Sequence, residues 1–166
     1  MTITRRAALL GGAAALAGCA SDSKFRSYNG PEVTRVVVDK SNRDLFLLHN
    51  RKVLERYKVH LGFAPAGHKR IEGDGRTPEG HYLIDRRNPN SSYHLSIGIS
   101  YPNERDMEYA REMGQSPGGD IFIHGEPNTY AVSRADWTNG CIAMTNREIE
   151  DVYAMVRNGT PITLLA

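Results

Sequence analysis

Residues 120–125, Asp-Ile-Phe-Ile-His-Gly, and residues 138–142, Thr-Asn-Gly-Cys-Ile, decide how this chain is read. Ile121-Phe-Ile123 is a short apolar run of the kind that forms a buried strand, and His124 closes it. The connection that follows carries Pro127, Asn128, Thr129, Ser133 and Asp136, and reads as a loop. The spacing predicts a strand ending in an imidazole, a loop, and a thiol returned beside it. A free Cys titrates at about 8.5, so at neutral pH it needs a neighbouring base to become a useful nucleophile. His124 is the candidate base and Cys141 the candidate nucleophile. The same residues also fit a quieter role, a strand-end histidine and a small buried hydrophobe, because buried free Cys is common.

Local features favour the chemical role. Gly140 has no Cβ, so the backbone turns sharply there and lets a substrate approach. The N–H groups of Gly140 and Cys141 are candidate donors to a developing oxyanion, a contact worth about 2.7–4 kcal/mol in a transition state. Thr145-Asn-Arg-Glu148 is a capping box, and the helix it opens lies just beyond Cys141, where its dipole would favour a thiolate. No Asp or Asn stands at an obvious position to orient His124. The carbonyl of Gly125 is the expected acceptor for its Nδ1 proton, which leaves Nε2 for the sulfur.

Outward from this centre the chain reads as mainly β with two helices. Strands are predicted at Val33–Asp39, at Arg43–His49 and Lys52–His60 about a turn at Asn50, at His81–Asp85, at Tyr93–Ser100 and at Ile162–Leu165. Gly62–Gly80 is rich in Gly, Pro and charge, and reads as a long loop. Asn103 caps a helix running to Met113, with Gly114 as its stop. A second helix follows Thr145, with Ile149, Val152, Tyr153 and Val156 on one face, and ends at Gly159 and Pro161.

The first residues read as an export signal. Arg5 and Arg6 precede a short apolar run, Ala7–Ala17, that ends in Leu16-Ala-Gly-Cys19. The run is far short of the roughly 20 residues of a membrane-spanning helix. Its ending resembles a bacterial lipobox, which implies residues 1–18 as a lipoprotein-type signal peptide cleaved before a lipidated Cys19. A plain cleavable signal is the alternative. Thr4-Arg-Arg6 also fits twin-arginine export as against ordinary secretion, although Ala8 is a poor match. Residues 19–31 are then a lipid anchor and flexible tether, rich in Ser, Asp, Lys, Asn and Gly, and 32–166 the domain. Cleavage removes Arg5 and Arg6 and balances the 21 Lys and Arg against the 19 Asp and Glu. That charge does not suit a nucleic-acid binder. Cys141 becomes the only thiol. Exported thiols are usually paired, so an odd one calls for a reason, and reactivity supplies it.

Taken together, these residues resemble the L,D-transpeptidase (YkuD) catalytic domain. The resemblance rests on His124-Gly125 followed by Thr138-Asn139-Gly140-Cys141. It rests also on Tyr57-Lys-Val-His-Leu-Gly62, then Thr77-Pro-Glu-Gly80, then His81-Tyr-Leu-Ile84, and it runs from about Val33 to the C-terminus. It implies a β-sandwich-like fold and Cys-dependent acyl transfer on peptidoglycan stem peptides, with no metal or organic cofactor. The thiolate attacks the carbonyl before a D-Ala and forms a thioester. An amine acceptor, a diaminopimelate side chain or a protein Lys, then takes the acyl group. Hydrolysis of the same thioester is one alternative, as carboxypeptidase action or release of a wall-linked lipoprotein. A non-catalytic wall-binding lipoprotein is another. The implied setting is the periplasm, with the lipid anchor in a membrane; Ala20 after Cys19 favours the outer membrane.

Carried over by residue, Cys141 is the nucleophile, His124 the base, Gly125 its orienter, and Gly140 an oxyanion donor. Thr138 and Asn139 are expected at the substrate. Two positions depart from the family pattern: Asn139 replaces a common His, and Ala143 replaces a common Arg. Arg134 is a candidate for the missing Arg. Arg70 and Arg76 are candidates for substrate carboxylates, or else solvated loop charges. Tyr93, His94 and Ser96 read as cross-strand packing or groove lining, and Trp137 as a packing anchor or a shield for the thioester. His49, His60, His68 and His81 lack metal-ligand spacing.

Overall fold

The computed structural model describes residues 23–166. The expected signal peptide and the lipidation site Cys19 lie outside the described residues. The eight strands and two helices, in chain order, are β1 (Arg35–Asp39), β2 (Asp44–His49), β3 (Lys52–Lys58), β4 (Gly80–Asn88), β5 (Ser96–Ile99), α1 (Glu104–Glu112), β6 (Phe122–His124), β7 (Ile142–Ala143), α2 (Asn146–Met155) and β8 (Pro161–Leu165). No helix among the described residues is long and apolar enough to cross a membrane.

Period-2 alternation builds the core. Val36 and Val38, Leu45 and Leu47, Ile97 and Ile99, and Ile162 and Leu164 are all buried. Each such side chain contributes about 1.5–3 kcal/mol of burial. The helices start where the sequence predicts, with reciprocal capping boxes at Asn103/Asp106 and Thr145/Glu148. Helix α2 buries Ile149, Val152 and Met155 and packs against β5 and β6, the strands behind the candidate site.

The strands form one sheet in the order β3-β2-β1-β8-β4-β5-β6-β7. Strand β4 serves both halves. It pairs with β8 through Leu83 and with β5 from Ile84 on, with a register shift between Ile84 and Arg86. Its polar end Arg86-Arg87-Asn88 carries the strand beyond the predicted Asp85. There Arg86 lies over the Phe122 ring at 4.6 Å and Arg87 over Tyr153 at 3.8 Å. Strand β5 begins later than predicted, because His94 adopts a left-handed backbone (φ 65°). Strand β7 is two residues long, too short to carry a periodic signal.

The sheet then closes on itself. Beyond β3 the chain continues to His60, which exchanges both backbone hydrogen bonds with Ala143 of β7, each 2.8 Å. Thr138 N–H donates to Leu61 O (3.2 Å) and Phe63 N–H to Thr138 O (2.9 Å). The first and last strands of the order thus meet in a seam, and the β-sandwich-like expectation takes the form of a single curled sheet. Loop 62–80 is tied beneath the seam. Gly62 N–H donates to Thr77 Oγ1 at 3.1 Å. The buried Lys40 ammonium donates to Gly67 O (2.6 Å), Thr77 O (2.9 Å) and Glu79 Oε1 (2.7 Å).

Residues 23–31, expected as the end of a flexible tether, lie on the domain. Lys24 Nζ donates to Pro89 O (2.7 Å) and His94 O (3.2 Å). Arg26 pairs with Glu150 and Asp151, both at 2.7 Å. Polar composition reads as solvation in a sequence, but these polar groups have partners far along the chain.

A Cβ on Gly62 would sit 2.1 Å from the backbone oxygen of Gly75. Gly62→Ala is expected to lower the unfolding free energy by about 1–3 kcal/mol, read from the shift in urea midpoint at unchanged slope.

Candidate active site

Parallel pairing of β6 with β7 places Ile123 beside Ile142 and His124 beside Ala143. Alternation sends the two isoleucines into the core. It turns His124 and Cys141 to the opposite side, where both line a cavity of about 380 Å³. Cys141 is partly exposed there, and His124 retains 4% of its surface.

His124 Nδ1 lies 2.7 Å from Gly125 O. A carbonyl only accepts, so Nδ1 carries the proton and Nε2 is left with its lone pair. The imidazole is held between two rings, Tyr93 at 4.5 Å between centroids and Trp137 edge-on at 5.6 Å. This burial lowers the His124 pKa, and the Gly125 bond only partly offsets it.

At the sulfur, Phe122 N–H donates to Cys141 Sγ (3.4 Å), and the thiol donates to Asp120 O (3.4 Å). Burial pushes the thiol pKa up. The Phe122 N–H pulls it back in part, Asp120 opposes that, and Lys69 and Arg86 act weakly toward the thiolate. Both shifts favour the uncharged forms of thiol and imidazole. The α2 dipole expected to assist is displaced: β7 intervenes between Cys141 and the cap, and Thr145 and Glu148 satisfy that cap reciprocally.

Thr138 shapes the turn before Cys141. Its hydroxyl donates to Cys141 O (2.7 Å) and accepts from Gly140 N–H (3.1 Å). Gly140 N–H is therefore engaged, and the Cys141 N–H is the member of the expected oxyanion pair without an acceptor among the described residues. Gly140 has φ 129°, and a Cβ there would lie 2.7 Å from Arg76 O. What crowds this glycine is the backbone of loop 62–80.

Thr138 and Asn139 line the cavity with the thiol. Arg134 does not. It lines an adjoining cavity of about 350 Å³ together with Ala143, His60 and Lys58, and Trp137 borders both spaces. Arg70 and Arg76 are also outside the main cavity. Arg70 stacks on Tyr109 at 4.4 Å and Arg76 is exposed, because the tie to Lys40 holds the loop under the seam. Tyr93, Ser96 and Trp137 line the cavity, whereas His94 pairs with Glu150 at 2.8 Å. The contacts at the sulfur from Asp120 O and Phe122 N–H carry no sequence signal, being backbone atoms. Only Gly118-Gly119 hints at the turn that gives Asp120 its φ of 53°. Among the described residues no group of three or more His, Cys, Asp or Glu is placed to hold a metal ion.

The family model for the L,D-transpeptidase catalytic domain, YkuD, matches residues 33–164. The chain belongs to this family. YafK of Escherichia coli (strain K12), by name an L,D-transpeptidase, is 28% identical over 154 residues, covering 90% of this chain and 57% of YafK. Among solved structures, the helical cell shape determining protein Pgp2 of Campylobacter jejuni is 25% identical with a TM-score of 0.62, covering 86% of this chain and 51% of Pgp2. The C442S mutant of the Enterococcus faecium L,D-transpeptidase, 16% identical with a TM-score of 0.53 over 81% of this chain and 50% of that one, shares the fold. This L,D-transpeptidase-family chain spans a little over half the length of YafK and about half that of Pgp2.

The direction of the thiol shift sets a test. Iodoacetamide alkylation of Cys141 is expected to rise through a midpoint above the free-thiol value of about 8.5, followed by mass spectrometry across pH. Thr138→Val, which removes both hydroxyl bonds at the turn, is expected to cost about 1–3 kcal/mol of stability and to slow alkylation at fixed pH.

Proposed function

We propose that this protein is a peptidoglycan L,D-transpeptidase acting through a Cys141 thioester. The observation that carries the reading is the pairing of a partly exposed thiol with a histidine fixed in one tautomer, on one wall of an open cavity, in a domain of this family. Neutral His124 takes the thiol proton on Nε2 as Sγ attacks the stem-peptide carbonyl that precedes D-Ala. The tetrahedral oxyanion is held by the Cys141 N–H. Its collapse breaks the amide bond, and the imidazolium returns the proton to the departing D-Ala amine. An acceptor amine, a diaminopimelate side chain or a protein Lys, then gives its proton to His124, attacks the thioester and frees the thiol. Asn139 hydrogen-bonds substrate in this scheme and moves no proton. The adjoining cavity of Ala143 and Arg134 is a second place for a stem carboxylate, with Arg134 doing the work of the replaced Arg.

We place the enzyme in the periplasm, held by a lipid on Cys19, in the outer membrane by the reading of Ala20. The likeness to Pgp2, a cell-shape protein by name, supports a part in shaping the wall.

Incubating the purified full chain with disaccharide-tetrapeptide muropeptides is expected to yield cross-linked dimers with loss of D-Ala, identified by mass. Trimmed tripeptides alone would make it the family's hydrolase. Binding without turnover would make it a wall-binding lipoprotein. Cys141→Ala is expected to abolish turnover, and His124→Gln to reduce it by about 10²–10⁴-fold.

A further inference from the structure

The connection between His124 and Cys141 is fastened at both ends. At its start, Asn128 bonds with the 91–94 segment through Ser91 O (3.0 Å), Ser92 O (3.0 Å) and His94 N–H (3.0 Å). At its end stands Asp136, in a left-handed backbone (φ 46°) immediately before Trp137. Its carboxylate accepts from Arg43 Nη2 (2.7 Å) and Arg43 Nε (3.1 Å), and from Leu61 N–H (2.9 Å). Arg43 lies in the β1–β2 turn, itself left-handed (φ 56°), and its other guanidinium nitrogen reaches Lys40 O. The charge pair thus joins the first turn of the sheet to the last residues before the nucleophile. Trp137, between Asp136 and the seam residue Thr138, is left with its ring edge-on to His124.

We propose that Arg43 and Asp136 are positioning residues for the reaction: their ion pair locks Trp137 against His124 and so sets the desolvation of the imidazole and of the neighbouring thiol. This rests on the reading of Cys141 and His124 as the reacting pair. The pair touches neither reacting atom and acts only through the indole. The groups facing the carboxylate are Arg43 and, more weakly, His60. Those acting on the sulfur are Asp120, Lys69 and Arg86, and the imidazole meets the Gly125 carbonyl. The groups at the sulfur and at the imidazole are left in place when the lock is changed.

Asp136→Asn keeps an oxygen for Leu61 N–H and removes the charge pair. Trp137 is the only tryptophan, so intrinsic emission of the full chain in detergent reads the lock directly. The expected result is a red-shifted emission, stronger acrylamide quenching, and a Cys141 alkylation midpoint moved down toward that of a free thiol. Muropeptide turnover is expected to fall by up to about a hundredfold, since small misplacements cost that much, with KM little changed. Arg43→Met should reproduce these changes, and Arg43→Lys should restore part of them. A folded Asp136→Asn with wild-type emission and alkylation profile overturns the proposal. Should that variant not fold, the same wild-type behaviour in Arg43→Met overturns it. Emission and alkylation need no turnover, so the lock is judged even if wild type proves inactive on muropeptides.

Discussion

The structure depends on the backbone pairing of His60 with Ala143, two hydrogen bonds of 2.8 Å that join opposite ends of an eight-stranded sheet. A two-residue strand such as β7 has little stability of its own. It persists because β6 pairs with it on one side and the continuation of β3 on the other. Cys141 immediately precedes that strand. The position of the sulfur is therefore a property of the closed sheet, and loop 62–80 beneath it leaves no space for a side chain at Gly62 or Gly140.

Closure also determines the electrostatics. A thiol and an imidazole set against the sheet, with aromatic rings over the imidazole, lose water, and the uncharged form of each gains. This arrangement differs from an ion-paired thiolate and imidazolium. The imidazole keeps a single tautomer there, its Nδ1 proton held by Gly125 O.

The departures from the family pattern acquire a spatial meaning. Ala143, where a common family Arg was expected, and Arg134 border the same adjoining space, one from β7 and the other from the connecting loop. Trp137 separates that space from the cavity of the thiol, so one indole borders both.

Much of this was legible in the chain. The β-branched run Val36–Val38, the alternation over Ile162–Leu164, the two capping boxes and the tight turn at Gly140 follow from local chemistry: strand-forming side chains, side-chain acceptors for helix N–H groups, and glycine where the backbone turns. The strand end at Arg86–Asn88 was not, since its two guanidinium groups settle on the rings of Phe122 and Tyr153, which only folding brings beneath them. Nor were the docking of Lys24 and Arg26, the distance of Arg70 and Arg76 from the cavity, or the meeting of Arg43 with Asp136, which join positions far apart in sequence. Backbone donors and acceptors such as Phe122 N–H and Asp120 O exist at every residue, so no sequence marks which of them will face a sulfur. The sequence by itself determined which atoms are available for chemistry and where both helices and most of the strands form. The tertiary structure alone decided how the sheet closes, and with it which of those atoms lose water together, because desolvation depends on neighbours that only folding supplies.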